Sequence, residues 1–186
     1  MEDQEEACRS YVQTWAESVM RQVERVRALR KKSHSIGRAY ERGFGPDELD
    51  LAQIARELFA EEHALVWAAH QVERWAQRLA EERGDDPPPR DEVLADVRNV
   101  LEHLDEADFE GRHAVPGYTG NRSLRKLPGS RLQLYTGYNG LAFGLIDPGE
   151  LERRALGVVA AIEDELMEAA ADWWADMSSG CLLASP

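Results

Sequence analysis

The chain has 186 residues, 43% of them hydrophobic, which is enough for one compact domain with a sizeable core and argues against two. Its 35 acidic residues against 22 basic ones leave a formal charge of −13, and this excludes a protein that coats nucleic acid or an anionic membrane over its whole surface. A small basic site on an acidic body stays open.

Between about Gln4 and Lys32, apolar residues recur at Cys8, Val12, Trp15, Val19, Val23, Val26 and Leu29. Alternating steps of three and four stack these side chains on one face, so the spacing predicts a long amphipathic helix. Arg30, Lys31 and Lys32 then fall where cations complement a helix C-terminus and need no ligand to explain them. Gly43, Gly45 and Pro46 mark a loop, and residues 33–42 leave room for a further short helical turn. Asp47 or Asp50 can cap a second helix whose stripe is Leu51, Ile54, Leu58, Leu65, Val72, Trp75 and Leu79. That helix must end before Pro87-Pro88-Pro89, where backbone donors are missing. A third helix is expected from about Arg90 to Ala107, with Val93, Leu94, Val97, Leu101 and Leu104 facing the core.

From Gly111 to about Gly149 glycine, proline, serine and aromatic residues interrupt any helical period. Arg131–Tyr135 and Leu141–Ile146 flank Tyr138-Asn139-Gly140, and an Asn-Gly pair suits a tight turn, so a β-hairpin is expected there. A last helix runs from about Pro148 to Met177 on Leu151, Ala155, Val159, Ile162, Leu166, Ala170, Trp173 and Met177, followed by a frayed tail from about residue 178. The expected fold is all-α, a single domain over 1–186: an antiparallel bundle of four long helices with a hairpin-containing insertion at about 111–149.

No run of about 18 apolar residues exists and the first residues are acidic, so neither a membrane span nor a signal peptide is expected, and a cytoplasmic location is. Cys8 and Cys181 stand near opposite ends and read as free thiols. His63 and His70, one heptad apart with Glu61 and Glu62 nearby, lack the paired Glu-x-x-His pattern of a bundle metal site. They read as packing residues, and neither a metal nor a cofactor is assigned.

The third helix contains Arg98-Asn99-Val100-Leu101-Glu102-His103. With 19 arginines and 5 histidines in the chain, an Arg and a His five apart mean little alone. An Asn directly after the Arg, on an amphipathic helix, makes the pattern more specific. Together with Leu104-Asp105-Glu106, the order of the helices and the insertion before the last one, it resembles the Arg-polar-x-x-x-His signature of the HEPN superfamily. That resemblance implies a helical bundle that cleaves RNA without metal, or an RNA-binding protein derived from such nucleases, as a homodimer whose centre combines Arg98, Asn99 and His103 of both copies. It further implies a role in defence or toxin–antitoxin systems, with a regulatory or antitoxin protein encoded nearby. One departure is Asp105, where toxins paired with nucleotidyltransferase antitoxins commonly carry Tyr.

The residue chemistry fits such a role. Metal-free RNA cleavage needs a proton acceptor, a proton donor and fixed positive charge, which His and Arg supply. Five residues turn a helix by about 140°, so Arg98 and His103 face apart while Asn99 and His103 share a face. Two apposed helices resolve that mismatch better than one. Residues 111–146 contain no acid, while Arg112, Arg122, Arg125, Lys126 and Arg131 supply +5 and leave −18 elsewhere. With Tyr118, Tyr135, Tyr138 and Phe143 interleaved, the segment suits unstacked bases and their phosphates, and Tyr135 and Tyr138 join the five cations as candidate RNA contacts. The competing reading is a non-catalytic helical interaction or regulatory module, in which Arg98 pairs with Glu102 one turn on and the basic segment packs on acidic helices.

Overall fold

A computed structural model describes residues 2–42, 48–118, 120, 122–134 and 140–182. Among these residues the chain is mostly helical, with three long helices and one short: α1 Glu2–Glu41, α2 Glu48–Arg83, α3 Glu92–Glu102 and α4 Pro148–Leu182. A small antiparallel sheet, β1 Ala107–Glu110, β2 His113–Pro116 and β3 Leu132–Gln133, lies between α3 and α4 in the order β1-β2-β3.

α1 buries Cys8, Val12, Val19, Val23 and Val26 of the expected stripe, with Trp15 and Leu29 half-buried and Ala16 joining the buried face. α2 returns along it, because Glu5 near the start of α1 meets Arg83 at the end of α2 at 2.9 Å, and Arg30 meets Glu62 at 2.7 Å. α4 is antiparallel to α1: Arg27 holds Glu152 at 2.7 Å and Arg83 holds Glu165 at 2.8 Å. Short α3 runs back along the middle of α2, with the N–H of Asp91 donating to Glu73 at 3.3 Å and the Arg98 guanidinium over Trp67.

The expected boundaries shift in physically informative ways. α1 continues to Glu41 instead of ending near Lys32, so Arg30 is an interior residue and not part of a terminal cluster. Its guanidinium grips Glu62, which is 2% exposed, and also donates to the carbonyl of Gly140. The N–H of Phe143 donates to the other Glu62 oxygen at 3.5 Å. One buried ion pair thus ties the insertion to both long helices. Phe143 holds φ +52° and is 1% exposed, edge-on to Phe59 with ring centres 5.6 Å apart. Burial of a whole aromatic ring offsets the cost of that left-handed backbone.

α2 begins at Glu48, so Asp50 lies inside the helix; Asp47 is outside the described residues. α3 is one-third the length of its neighbours and begins only at Glu92, where the Asp91 side chain accepts the Leu94 N–H at 3.0 Å. It ends at His103, not at Ala107, because the chain turns through Leu104–Glu106 and Ala107 enters β1. Val93, expected in the core, is 40% exposed.

The hairpin is placed differently as well. β3 pairs with β2, with His113 opposite Gln133 and Ala114 opposite Leu132, while Leu141–Ile146 closes on itself through a bridge between Ala142 and Ile146. The expected turn at Tyr138 and Asn139 lies outside the described residues. The hairpin seen is β1–β2, turning at Gly111 with φ +59°. Leu124, Leu127, Leu132, Ala142 and Phe143 from this insertion join the helix stripes in one core. Among the described residues no helix is long and apolar enough to cross a membrane. In α4, Leu151, Ala155 and Ile162 are buried, but Leu166, Trp173 and Met177, expected on the same core stripe, are 43%, 55% and 56% exposed.

Candidate functional site

α3 is amphipathic with Leu94, Val97, Val100 and Leu101 buried, which leaves Arg98, Asn99, Glu102 and His103 along its outer flank and C-terminal end. Arg98 lies between α3 and α2. One guanidinium nitrogen donates to Asn99 Oδ1 at 2.9 Å, another meets Glu102 at 2.6 Å, and the group sits 5.0 Å from the centre of the Trp67 ring. The Arg98 side chain is 24% exposed, and its Nε is buried without an acceptor among the described residues. A cation held between a carboxylate and an indole face is fixed in position, which is what a phosphate-binding arginine needs; Glu102 is a counterion that a phosphate must displace.

His103 caps α3, its N–H donating to the Asn99 carbonyl at 3.2 Å. Its ring is 59% exposed, with Nδ1 3.1 Å from Glu106. Arg98 and His103 therefore hold different carboxylates, as their angular separation on the helix requires. The structure sets Asn99 beside Arg98 and leaves His103 on the solvent side of the helix end.

The basic segment divides. Arg122, Arg125 and Lys126 ride on a short helical turn, Arg122–Lys126, anchored by buried Leu124. Lys126 meets Asp96 of α3 at 3.2 Å. Asp96, Asn99 and His103 follow at steps of three and four, so Lys126 joins the His103 face and not the Arg98 face. Arg112 and Arg131 are exposed at the small sheet, whose β1 presents Asp108 and Glu110 to solvent. Lys126, acid-free in its sequence segment, thus has a carboxylate partner from α3 in space. Tyr118 is 98% exposed; Tyr135 and Tyr138 lie outside the described residues.

Residues not anticipated complete the surroundings. Trp67, together with Trp15, Gln22, Phe59 and His63, lines a surface concavity of about 540 Å³ beside Arg98. Gln22 Oε1 is buried there without a partner among the described residues. Burial lowers the pKa of His63 and His70, with Arg98 adding to the effect at His70 and Glu102 opposing it at both, so burial favours the neutral form of both imidazoles. Trp67 falls between the apolar positions of the predicted α2 stripe, and a tryptophan off the stripe was the available signal.

A second, larger cleft of about 1,020 Å³ opens between α2, the start of α3 and α4. Glu73 sits in its wall with a pKa raised to about 7, first by burial and then by the charge of Asp91. Asp91 itself is held low, the Leu94 N–H and Arg154 outweighing its own burial. Because the folded form binds the Glu73 proton more tightly, the stability this group contributes is full below about pH 4.5 and is lost as pH rises through about 7. Discounted for partial exposure, the loss is about 1–2 kcal/mol. Glu73→Gln is expected to shrink the difference in Tm between pH 5 and pH 8, read by thermal denaturation.

Comparison with protein-family models, with curated proteins and with solved structures finds no match for this chain.

Proposed function

We propose that the chain is a HEPN-type helical bundle that cleaves RNA without metal as a homodimer, with Arg98, Asn99 and His103 of two copies forming one centre. The observation that carries this reading is the α3 end itself: Arg98 is pinned by Trp67, Asn99 and Glu102, with a solvent-exposed imidazole one turn further on. In the reaction, the 2′-hydroxyl loses its proton to one imidazole and attacks phosphorus, while the departing 5′-oxygen takes a proton from a second. The products are a 2′,3′-cyclic phosphate and a 5′-hydroxyl. One copy supplies a single His103, so acid and base together call for two copies. Arg98, released from Glu102, stabilises the charge that builds on the phosphorane. Lys126, Arg122 and Arg125, on the turn packed against α3, guide the strand, while Arg112 and Arg131 extend the path over the sheet.

The test is cleavage of single-stranded RNA in a chelating buffer by wild-type and His103→Ala protein, where loss of activity in the variant is expected. A second reading has its own observation. Glu102 already neutralises Arg98 at 2.6 Å, which suits a non-catalytic interaction or regulatory module with a neighbouring protein as partner. Under that reading wild-type protein leaves RNA intact.

A further inference from the structure

Phe59, His63 and Trp67 follow one another at steps of four on α2, so their rings form a ridge along one side of that helix. Ala60 and Ala64 stand beside the ridge, and side chains this small leave space in front of it. On α1, Trp15, Ser18 and Gln22 recur at steps of three and four and make the opposite wall. Between the two walls lies the concavity of about 540 Å³, a size that takes a small organic group. Its four aromatic rings are half-buried, so each keeps some surface open to water.

Aromatic surface left in water favours a flat ligand that covers it. No Asp, Glu, Lys or Arg lines the concavity among the described residues, so the group it suits is uncharged. Ser18 and His63 offer a hydroxyl and an imidazole, the latter favoured in its neutral form by burial. Gln22 adds an amide oxygen that no donor reaches among the described residues, and its soft terminal torsion lets the amide turn toward the opening. A nucleobase has the matching chemistry: two broad π faces, no charge, and an edge of donors and acceptors. Positive charge stands at one end only. There Arg98 lies 5.0 Å from the centre of the Trp67 ring, which closes the ridge. A nucleotide carries its base and its phosphate at two ends of one ribose, and the uncharged concavity and the guanidinium lie side by side in the same way.

We propose that this concavity seats an unstacked base of the RNA strand, the base joined to the phosphate that Arg98 holds. The assignment rests on reading Arg98 as a phosphate ligand. Trp15 supplies the stacking face, and Ser18, Gln22 and His63 meet the edge of the base. Trp67 serves Arg98 instead and divides the base seat from the phosphate grip.

The test is equilibrium binding of the full chain, in EDTA, to end-labelled 2′-O-methyl tetraadenylate, which lacks the attacking hydroxyl and stays intact. The control is an abasic strand with the same phosphates. Wild type is expected to hold the base-bearing strand about tenfold tighter, the contribution of one stacked base. Trp15→Ala and Ala60→Leu are each expected to erase that preference while abasic binding and helical circular dichroism stay unchanged. Ala60 is exposed, so leucine there fills the concavity without entering the core. Arg98→Ala is expected to weaken both strands. Equal binding of the two strands by wild type, binding of neither, or a preference that survives Trp15→Ala and Ala60→Leu overturns the seat. Adenosine 5′-monophosphate bound as tightly as the strand overturns its assignment to RNA in favour of a free nucleotide. Base preference without cleavage of ordinary RNA removes the catalytic reading and keeps the seat, and cleavage without base preference does the reverse.

Discussion

Glu62→Ala is expected to destabilise the protein by about 3–5 kcal/mol, the usual result of removing one partner of a buried ion pair. Glu62 is 2% exposed, and its carboxylate holds Arg30 at 2.7 Å and the N–H of Phe143 at 3.5 Å. Without it, Arg30 keeps a charge in a site only 18% open to water, and the loop carrying Phe143 loses its hydrogen bond to α2. Glu61→Ala is the control. Glu61 meets Arg25 at 3.7 Å with both side chains substantially solvated, so its loss is expected to cost under about 1 kcal/mol. Urea denaturation of the two variants reads the difference. Replacing Arg30 and Glu62 together with Met and Leu is expected to recover much of the loss, because the uncompensated charge goes with the pair.

His103→Ala is expected to lower RNA cleavage by about 10²–10⁴-fold, the range for a lost general acid or base. Arg98→Lys is expected to fail as a replacement, because an ammonium cannot hold Asn99, Glu102 and an indole face in the planar arrangement of the guanidinium. Trp67 touches Arg98 and acts through it, as a positioning residue. Trp67→Ala is therefore expected to lower kcat for RNA more than it raises KM, by about fivefold or less.

Burial in the long helices follows spacing: Cys8, Val12, Val19, Val23 and Val26 of α1 and Ile54, Leu58, Leu65, Val72 and Leu79 of α2 are buried, while Trp15, Leu29, Leu51 and Trp75 on the same stripes are half-buried. The sequence pattern stops α1 too early because Ser33, His34, Ser35 and Gly37 are weak helix formers. Extending a helix that already exists adds one bond per residue fixed, so tertiary context carried it to Glu41. β1 left no alternating signal to find. Only Ala107 of its four residues is buried, and Phe109 is 60% exposed. The end of α4 continues the apolar stripe of its first half, and whether a stripe is covered is not a property of the helix that bears it.

At the candidate site, the angular separation of Arg98 and His103 was legible from five-residue spacing, and so was the Arg98–Glu102 pair. Glu62 also left a trace, lying four residues after Leu58 and three before Leu65, a charge on a core stripe. Its partner Arg30 did not, because assigning that arginine to a helix end hid its interior position. Trp67 under Arg98 and the placing of Lys126 on the His103 face depend on how three segments pack, which no local pattern encodes.

The most direct measurement is end-group analysis of single-stranded RNA incubated in EDTA with wild-type, Arg98→Ala and His103→Ala protein. Fragments ending in 2′,3′-cyclic phosphate with wild type, and their loss in both variants, are expected of a centre built from these two residues. Intact RNA with wild type, or equal fragments with all three proteins, contradicts it.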